Sequence, residues 1–329
     1  MQIDLKTVSI KPLRQTFDHI ARRFGDKPAS RYQEGTYDIQ QTTIFHYRPF
    51  WDPERELFDA KRTQITMKDW YAFKDPRQYY YGAYTIARSR QQDAAESNFD
   101  MIEERGLTGM IPDDLRRIAL EVLVPMRHVE WAGNMNNTYI TAYGYGTAIT
   151  QPCCYAAMDH LGVAQYLTRV GLELGEPSVL DAAKHAWLEA PVWQELRRYV
   201  ENSFVIKDWF ELFVAQNLVL NGIVHPMLYD HLDTEFSTRG GTAISMMTRF
   251  MGEWYVETAK WVDSQIKVAI GESPENAALV NGWFRQYRDQ LIPAVTPIAR
   301  HAFGEKADAV LGDIVEQFNT RCRKLGLAV

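Results

Sequence analysis

The sequence is poor in cysteine. Three cysteines in a chain of 329 residues cannot form the disulfide framework of a small secreted protein, so we expect a reducing compartment. Cys153 and Cys154 are adjacent, and a bridge between neighbours would be strained. A role in packing is therefore favoured over a metal or redox site. Residues 1–17 carry charges and no apolar run, so no signal peptide and a cytoplasmic location are predicted.

An excess of positive charge is also missing. Lysine and arginine total 36 against 42 acidic residues, which gives a net charge of -6. A surface that binds nucleic acid or an anionic membrane needs a basic patch, so neither partner is predicted. The segment 131–158 has no charged residue, but its asparagines, threonines and glycines are too polar for a membrane-spanning helix. We expect it to form buried protein interior.

Motifs for nucleotide binding and for a serine nucleophile are absent. The sequence contains no G-x-x-x-x-G-K-[ST] loop and no G-x-S-x-G turn. Gly144 and Gly146 are not followed by the third glycine of a dinucleotide fingerprint, and a predicted helix precedes them. The sequence therefore predicts no phosphate-binding loop.

The spacing of a carboxylate-bridged di-iron site is absent too. Such a site takes a Glu from each of two helices and a Glu-x-x-His pair from each of two others. No Glu in the chain has a His three residues later. The residue at that spacing is Gly133 after Glu130 and Val256 after Glu253. A standard di-iron centre is not expected, and the sequence assigns no catalytic, cofactor-binding or metal-ligating residue.

Two histidines leave an alternative open. His225 and His231, with Asp230 beside them, could form a non-standard site in a free-standing helical enzyme or adaptor. A polar turn between helices after Pro226 explains the same residues without chemistry, and we favour it.

From residue 75 onward the chain is predicted to be all-α. Prolines and glycines separate segments of helical character, with Pro125 expected to kink one helix and Pro226 to interrupt another. The predicted helices cover residues 76–105, 112–150, 152–174, 191–202, 207–224, 243–270 and 305–325. Two more are predicted to begin at Ser178 and at Ser273, the second with kinks near Pro293 and Pro297. Long helices with short connections predict a bundle.

The first part of the chain has a different character. Prolines interrupt residues 1–75, and the segment 42–51 is rich in aromatic and β-branched residues. We interpret it as an extended arm ahead of a single helical domain, residues 76–329. The arm packs either on a partner or on its own domain, and the sequence favours neither interpretation over the other. The candidate partner contacts are Phe45, Tyr47, Phe50 and Trp51.

Polar side chains recur at helical spacing inside the apolar segments. Because buried polar groups must be paired, we expect two of these lines to satisfy each other within the bundle. The first line is Arg127, Glu130, Asn134 and Asn137, and the second is Gln216, Asn217 and Asn221. A surface pair between Arg127 and Glu130 is the alternative. A third line, Arg249, Glu253, Glu257 and Lys260, is interpreted as a solvated charge ladder.

Several stretches together resemble one family. They are WYAFKDPRQY at 70–79, PMRH at 125–128, PCC at 152–154, WLEAPVWQELR at 187–197, DW at 208–209 and NLV at 217–219. The chain resembles the β subunit of the hydroxylase component of bacterial multicomponent monooxygenases, first the phenol hydroxylase group and next the toluene monooxygenases. Helix order and length agree over most of residues 70–325.

The resemblance implies a ferritin-like (ribonucleotide-reductase-like) helical bundle with an extended N-terminal arm. It implies a dimer of heterotrimers, each with one α, one β and one γ subunit. The α subunit holds the di-iron centre, and the β subunit has lost the iron ligands. A regulatory protein and a reductase that uses NADH, FAD and an iron–sulfur cluster complete the system. The implied function is structural support for hydroxylation of phenol or a related arene with O2, and the substrate pocket belongs to another chain.

Overall fold

The computed structural model describes residues 13–42, 50 and 52–329, and every regular element within them is a helix. The all-α prediction is confirmed for this part of the chain. The α-helices are α1 (Asp18–Phe24), α2 (Arg31–Thr36), α3 (Tyr81–Glu104), α4 (Asp113–Ile118), α5 (Arg127–Tyr143), α6 (Thr147–Leu174), α7 (Ser178–Glu189), α8 (Pro191–Ser203), α9 (Trp209–Phe213), α10 (Asn221–Pro226), α11 (Asp233–Thr238), α12 (Thr242–Glu272), α13 (Pro274–Phe303) and α14 (Ala307–Leu325).

Wider π-helical turns interrupt the α-helices at three places. They are Ala119–Leu123, Val214–Leu220 and Met227–Leu232. The second and third join α9, α10 and α11 into one continuous helix. The predicted break at Pro226 is therefore wrong, because the π segment that begins at the next residue takes up the backbone distortion of the proline. Short 3₁₀ turns are Ala60–Arg62, Trp70–Ala72, Leu107–Met110 and Gly304–Lys306.

The continuous helix Trp209–Thr238 is the centre of the bundle. Helices α5, α12, α13 and α14 pack around it. Among the described residues it is the one helix long and apolar enough to cross a membrane, and 94% of its apolar window is buried within the fold. Burial by neighbouring helices accounts for that composition, as in the core helix of a globular protein.

A tight connection between α5 and α6 corrects two predicted helix ends. The predicted helix over 112–150 ends at Tyr143, and α6 begins at Thr147 rather than at Pro152. Gly146 has φ +91°, a conformation that glycine adopts without strain, and the chain reverses there. A Cβ atom on Gly146 would lie 3.1 Å from Cβ of Trp70, so the close approach of the arm also favours glycine.

The described part of the arm packs on the helical bundle. Ile20, Tyr32, Ile65 and Phe73 are buried in the same hydrophobic core as the long helices. Of the two interpretations of the arm, packing on its own domain is therefore the correct one for these residues. Phe45, Tyr47 and Trp51 lie outside the described residues. The division of the chain at residue 75 stays a prediction.

Candidate functional site

A buried carboxylate lies between two histidines in the middle of the bundle. Glu130 comes from α5, His160 from α6 and His225 from α10. Oε2 of Glu130 is 2.5 Å from Nδ1 of His160, and Oε1 is 2.9 Å from Nε2 of His225. All three side chains are almost fully buried. Each carboxylate oxygen therefore accepts a hydrogen bond from a ring N–H.

Two opposing effects set the charge of Glu130. Burial alone would raise its pKa. The attraction of His225 and His160 and their hydrogen bonds outweigh burial and lower the pKa to about 2. Glu130 is thus a carboxylate at neutral pH. Without the two rings, a charge at this depth would be strongly unfavourable.

The absence of a side chain at Gly133 lets the His160 ring lie close to α5. A Cβ atom on Gly133 would lie 2.6 Å from Nδ1 of His160, closer than real Cβ contacts come. Glycine at this position lets the ring approach α5 and reach Glu130. The indole of Trp254 packs edge-on against the same ring, with the ring centroids 5.0 Å apart. The cluster therefore depends on packing as well as on hydrogen bonds.

Buried amides extend the cluster along the central helix. Nδ2 of Asn221 lies 3.3 Å from Nε2 of His160, and Nε2 of Gln216 donates to Oδ1 of Asn221 at 2.9 Å. Asn137 and Asn217 exchange two hydrogen bonds of 3.2 and 2.9 Å across α5 and the π segment. The predicted pairing of the two polar lines is confirmed for Asn137 and Asn217.

Two members of the first polar line point elsewhere. Arg127 donates to the carbonyl of Leu180 at 2.6 Å, and Asn134 donates to the carbonyl of Ala157 at 2.8 Å. The alternative of a surface pair between Arg127 and Glu130 is wrong because Glu130 is 1% exposed.

A second polar network runs from this cluster toward the surface. Arg88 binds both oxygens of Asp159 at 2.7 and 2.8 Å, and Asp159 also accepts from the Trp254 indole N–H at 2.9 Å. Glu257 pairs with Arg88 at 3.1 Å and with Arg77 at 3.4 Å. The prediction of a solvated charge ladder is therefore wrong for Glu257. Burial raises the pKa of its carboxyl group, but the two arginines outweigh burial, so the net pKa is lowered.

The histidines of the alternative site lie in different surroundings. His225 is buried against Glu130, whereas the half-buried His231 is 3.5 Å from the Asp313 carboxylate. Asp230 is exposed. The structure therefore does not gather these three side chains into a site. The polar turn expected after Pro226 is also wrong, because the helix continues.

Comparisons with known proteins identify the family. A family model described as methane/phenol/alkene hydroxylase matches residues 51–273. The chain belongs to this hydroxylase family. It is 46% identical to the phenol 2-monooxygenase oxygenase component DmpL of Pseudomonas sp. (strain CF600), over 99% of this chain and 98% of the relative. It is 25% identical to the hydroxylase component subunit beta of the toluene-4-monooxygenase system of Ectopseudomonas mendocina, over 85% and 88% of the two chains.

Solved structures agree with the hydroxylase assignment. The phenol hydroxylase from Pseudomonas sp. OX1 superposes with a TM-score of 0.92 at 40% identity and covers 99% of each chain. Toluene 4-monooxygenase superposes with a TM-score of 0.74 at 20% identity, over 94% of this chain and 100% of that one, and supports the fold alone. The ferritin-like helical fold is confirmed. The chain is a hydroxylase subunit of a monooxygenase.

The buried cluster of this hydroxylase chain does not fit a di-iron centre. Two irons need several carboxylates from facing helices, whereas Glu130 is the one carboxylate here and both its oxygens are engaged. The neighbours Asn221 and Gln216 are amides. Nδ1 of His225 has no hydrogen-bond partner among the described residues, but it lies across the ring from the nitrogen that binds Glu130. Within the described ranges, no three His, Cys, Asp or Glu side chains are arranged to hold a metal ion.

His160 is the member of the cluster that sequence reasoning missed. It lies 30 residues from Glu130 on the next helix, so a search for pairs on one helix cannot find it. Cys153 is buried and Cys154 half-buried, both are free, and burial raises the pKa of both thiols, in agreement with a packing role. Phe50, the one candidate partner contact that is described, is 95% exposed.

Proposed function

We propose that this chain is the non-catalytic structural β subunit of a di-iron hydroxylase that acts on phenol or a related arene. The relatives carry names of phenol 2-monooxygenase and toluene-4-monooxygenase components, and one of them is a subunit beta. In this proposal the chain supports an iron-bearing α subunit, which performs the hydroxylation with O2 and electrons from NADH. The substrate pocket belongs to α.

The Glu130 cluster is the observation that carries this proposal. A di-iron site needs several carboxylates, whereas Glu130 is the one carboxylate of this cluster and its oxygens face the ring nitrogens of His160 and His225. In this proposal the hydrogen-bonded cluster lies in the bundle core, where di-iron proteins of this architecture build their metal site.

The partners follow from the same assignment. We propose α and γ hydroxylase subunits in a dimer of heterotrimers, with a regulatory protein and a reductase that carries FAD and an iron–sulfur cluster. A further relative is the hydroxylase component small subunit of a propane 2-monooxygenase, which supports a larger partner chain. Nucleic acid and membrane are not among the proposed partners, and the proposed location is the cytoplasm.

Residues 1–75 are proposed as an arm whose middle part contacts a partner subunit. Phe45, Tyr47, Phe50 and Trp51 are the proposed contacts. The exposure of Phe50 supports this use of the segment, because an exposed phenylalanine gains most when a partner covers it. The buried residues Ile20 and Ile65 attach the rest of the arm to the bundle.

Metal analysis of separated subunits tests the proposal. The hydroxylase is purified from its native cells through a tag on this chain, its subunits are separated, and iron is measured in each by mass spectrometry. We expect a larger chain to co-purify and to contain the iron. About two irons in this chain, the di-iron stoichiometry, would overturn the non-catalytic assignment.

The alternative of a free-standing enzyme or adaptor has its own test. Alanine at both Asp230 and His231 removes two of the three polar groups of the alternative site and leaves His225 and the buried cluster unchanged. We expect hydroxylation by the complete enzyme to stay unchanged. Loss of turnover with an unchanged subunit composition would favour the alternative.

A further inference from the structure

A cavity of about 150 Å³ lies between helices α3, α6 and α12. Gln92 on α3 and Met158 on α6 are exposed and lie at its opening, whereas Trp254 on α12 is buried and forms part of the wall. Met158 belongs to the uncharged segment 131–158, for which protein interior was predicted. Its side chain is 40% exposed, so that prediction is wrong at this position.

The volume of the cavity suits a single aromatic ring. An engineered cavity of about 150 Å³ in another protein binds benzene. Gly162 on α6 contributes to the free space, because a Cβ atom added there would meet no atom within 4 Å. At Gly133, by contrast, the His160 ring fills the space beside the glycine. The missing side chain at Gly162 therefore leaves room that no protein group uses.

Aromatic and sulfur groups form much of the wall. The rings of Tyr166 and Phe250 pack edge to face with their centroids 4.7 Å apart, and Met158 adds a thioether. The hydroxyl of Tyr166 donates to Glu96 at 2.8 Å, which fixes that ring. Nε2 of Gln91 donates to the carbonyl of Phe250 at 3.1 Å, which ties α3 to α12 beside the cavity. Aromatic rings and methionine sulfur both interact favourably with a further ring, so the wall is a preformed surface for an arene.

The charged groups of the wall are already paired. Arg88 is the one cation among the described residues that line the cavity, and it binds both oxygens of Asp159 as well as Glu257. Asp159 also accepts hydrogen bonds from the Tyr84 hydroxyl and the Trp254 indole. An anionic ligand would find no free cation here, and a cationic ligand would find no free carboxylate. The cavity therefore favours an uncharged ligand.

A side-chain amide supplies a polar contact at the opening. Gln92 is exposed there, and its amide offers both a hydrogen-bond donor and an acceptor. A hydroxyl group has the same two capacities, so a hydroxyl on the ring of a ligand can pair with this amide. Small-molecule sites commonly combine apolar walls with a few polar groups that fix the orientation of the ligand.

We propose that this cavity binds an uncharged arene of one ring that carries a hydroxyl group. The ring lies beside Tyr166 and Phe250, and the hydroxyl is at Gln92. The choice of ligand rests on the proposed function, which brings arenes of the phenol class to the hydroxylase. Because the ligand binds the folded chain, it also stabilises the packing of α3 on α6 and α12.

Crystals of the intact hydroxylase soaked in 4-bromophenol test the proposal, since anomalous scattering locates the bromine. Gly162→Leu fills the cavity, and Gly312→Leu on α14 is the matched control, because a Cβ atom added there also meets nothing within 4 Å. We expect a bromine peak in this cavity in the wild type and in the control, and none in Gly162→Leu. An empty cavity in the wild type, or an unchanged peak in Gly162→Leu, would overturn the proposal.

Binding in solution is measured by ¹⁹F NMR titration of the hydroxylase with 4-fluorophenol. The signal that Gly162→Leu removes reports this cavity. Gln92→Leu keeps the cavity but removes the amide, so we expect about fivefold weaker binding of 4-fluorophenol, the usual effect of one hydrogen bond. Binding of 4-fluorotoluene, which has no hydroxyl group, should not change. Equal affinity of the wild type and Gln92→Leu for 4-fluorophenol would refute the hydroxyl contact.

Failure of the proposed function would give a different result. A tagged wild-type chain that recovers no larger, iron-containing subunit would refute that function. The ¹⁹F titration of the recovered full chain would still decide whether the cavity binds the arene.

Discussion

Gly133 and His160 lie so close that a single methyl group on the glycine would come within 2.6 Å of the imidazole Nδ1. The two residues are on neighbouring helices, so this approach sets how closely α5 and α6 pack at the level of Glu130. The hydrogen bond from His160 to Glu130 depends on the glycine for the same reason. A position that looks like a weak point in a helix is thus required by the cluster beside it.

Gly133→Ala should therefore destabilise the protein in spite of the better helix propensity of alanine. We expect a loss of about 1–3 kcal/mol in the free energy of unfolding, the usual cost of overpacking. Gly162→Ala on α6 is the matched control, because nothing lies within 4 Å of its added Cβ atom. Urea unfolding of both variants measures the difference, and equal stability would contradict the packing argument.

Glu130→Gln should be more damaging, because it removes the charge between two buried histidines. Breaking a buried ion pair on one side costs about 3–5 kcal/mol. Glu253→Gln is the control, since Glu253 is exposed and pairs with Arg249 at the surface. We expect the control to change the free energy of unfolding by no more than about 0.5 kcal/mol. A small change in the free energy of unfolding for Glu130→Gln would contradict the prediction, because it would show that the two histidines do not need the charge of Glu130.

The same carboxylate should contribute to acid sensitivity. The folded pKa of Glu130 is lowered from 4.5 to about 2, so its contribution to stability is complete above pH 4.5 and is lost as the pH falls toward 2. The difference in unfolding free energy between the wild type and Glu130→Gln should therefore shrink over that range. Urea titrations at a series of pH values measure it. A difference that stays constant would show that Glu130 does not carry the effect.

Arg88→Lys tests the network around Asp159. Lysine keeps the charge but cannot bind both carboxylate oxygens in a fork, and Asp159 also accepts from Tyr84 and Trp254. We expect a loss of about 1–3 kcal/mol, typical of hydrogen bonds to charged groups. Arg249→Lys at the exposed pair with Glu253 should change little. Thermal unfolding of the two variants under identical conditions provides the comparison.

Phe50→Ala tests the arm as a partner contact. Because Phe50 is already exposed, its removal should leave the fold of this chain intact while it weakens subunit association. A hot-spot aromatic contributes about 2 kcal/mol to binding, which corresponds to roughly thirtyfold in affinity. Val256→Ala, at an exposed position on α12, is the control. Unchanged association in a titration of the subunits would remove Phe50 from the interface.

Much of the helix order could be predicted because prolines and glycines mark the ends of the helices. Pro191 opens α8 and Pro274 opens α13, where the missing N–H has no helical partner in any case. Pro226 misled the prediction, since the π-helical turn that accommodates it has no sequence signature. The capping box of Ser30 and Gln33, which starts α2, was a readable signal that the prediction did not use.

The buried cluster was only half predictable. Glu130 could be suspected from its place in a polar line within an apolar helix, and Asn137 and Asn217 could be paired from their burial. His160 could not be found, because its partner lies on another helix and the helix rotation that brings them together depends on Gly133. Helix propensity and spacing predict which residues share one helix face, but contacts between helices depend on how the helices pack in three dimensions.

The π-helical segment Val214–Leu220 has a consequence for how this chain can evolve. A π turn holds one more residue than an α turn, so deletion of a single residue there restores ordinary α geometry locally. The π turn takes up that residue over nearly the same rotation about the helix axis, because each of its residues turns through less than the about 100° of an α-helical residue. After the deletion, Asn221 and His225 would therefore still face His160 and Glu130. This segment can thus lose one residue without loss of the cluster, whereas the same deletion in a regular α-helix would turn every following side chain away from it.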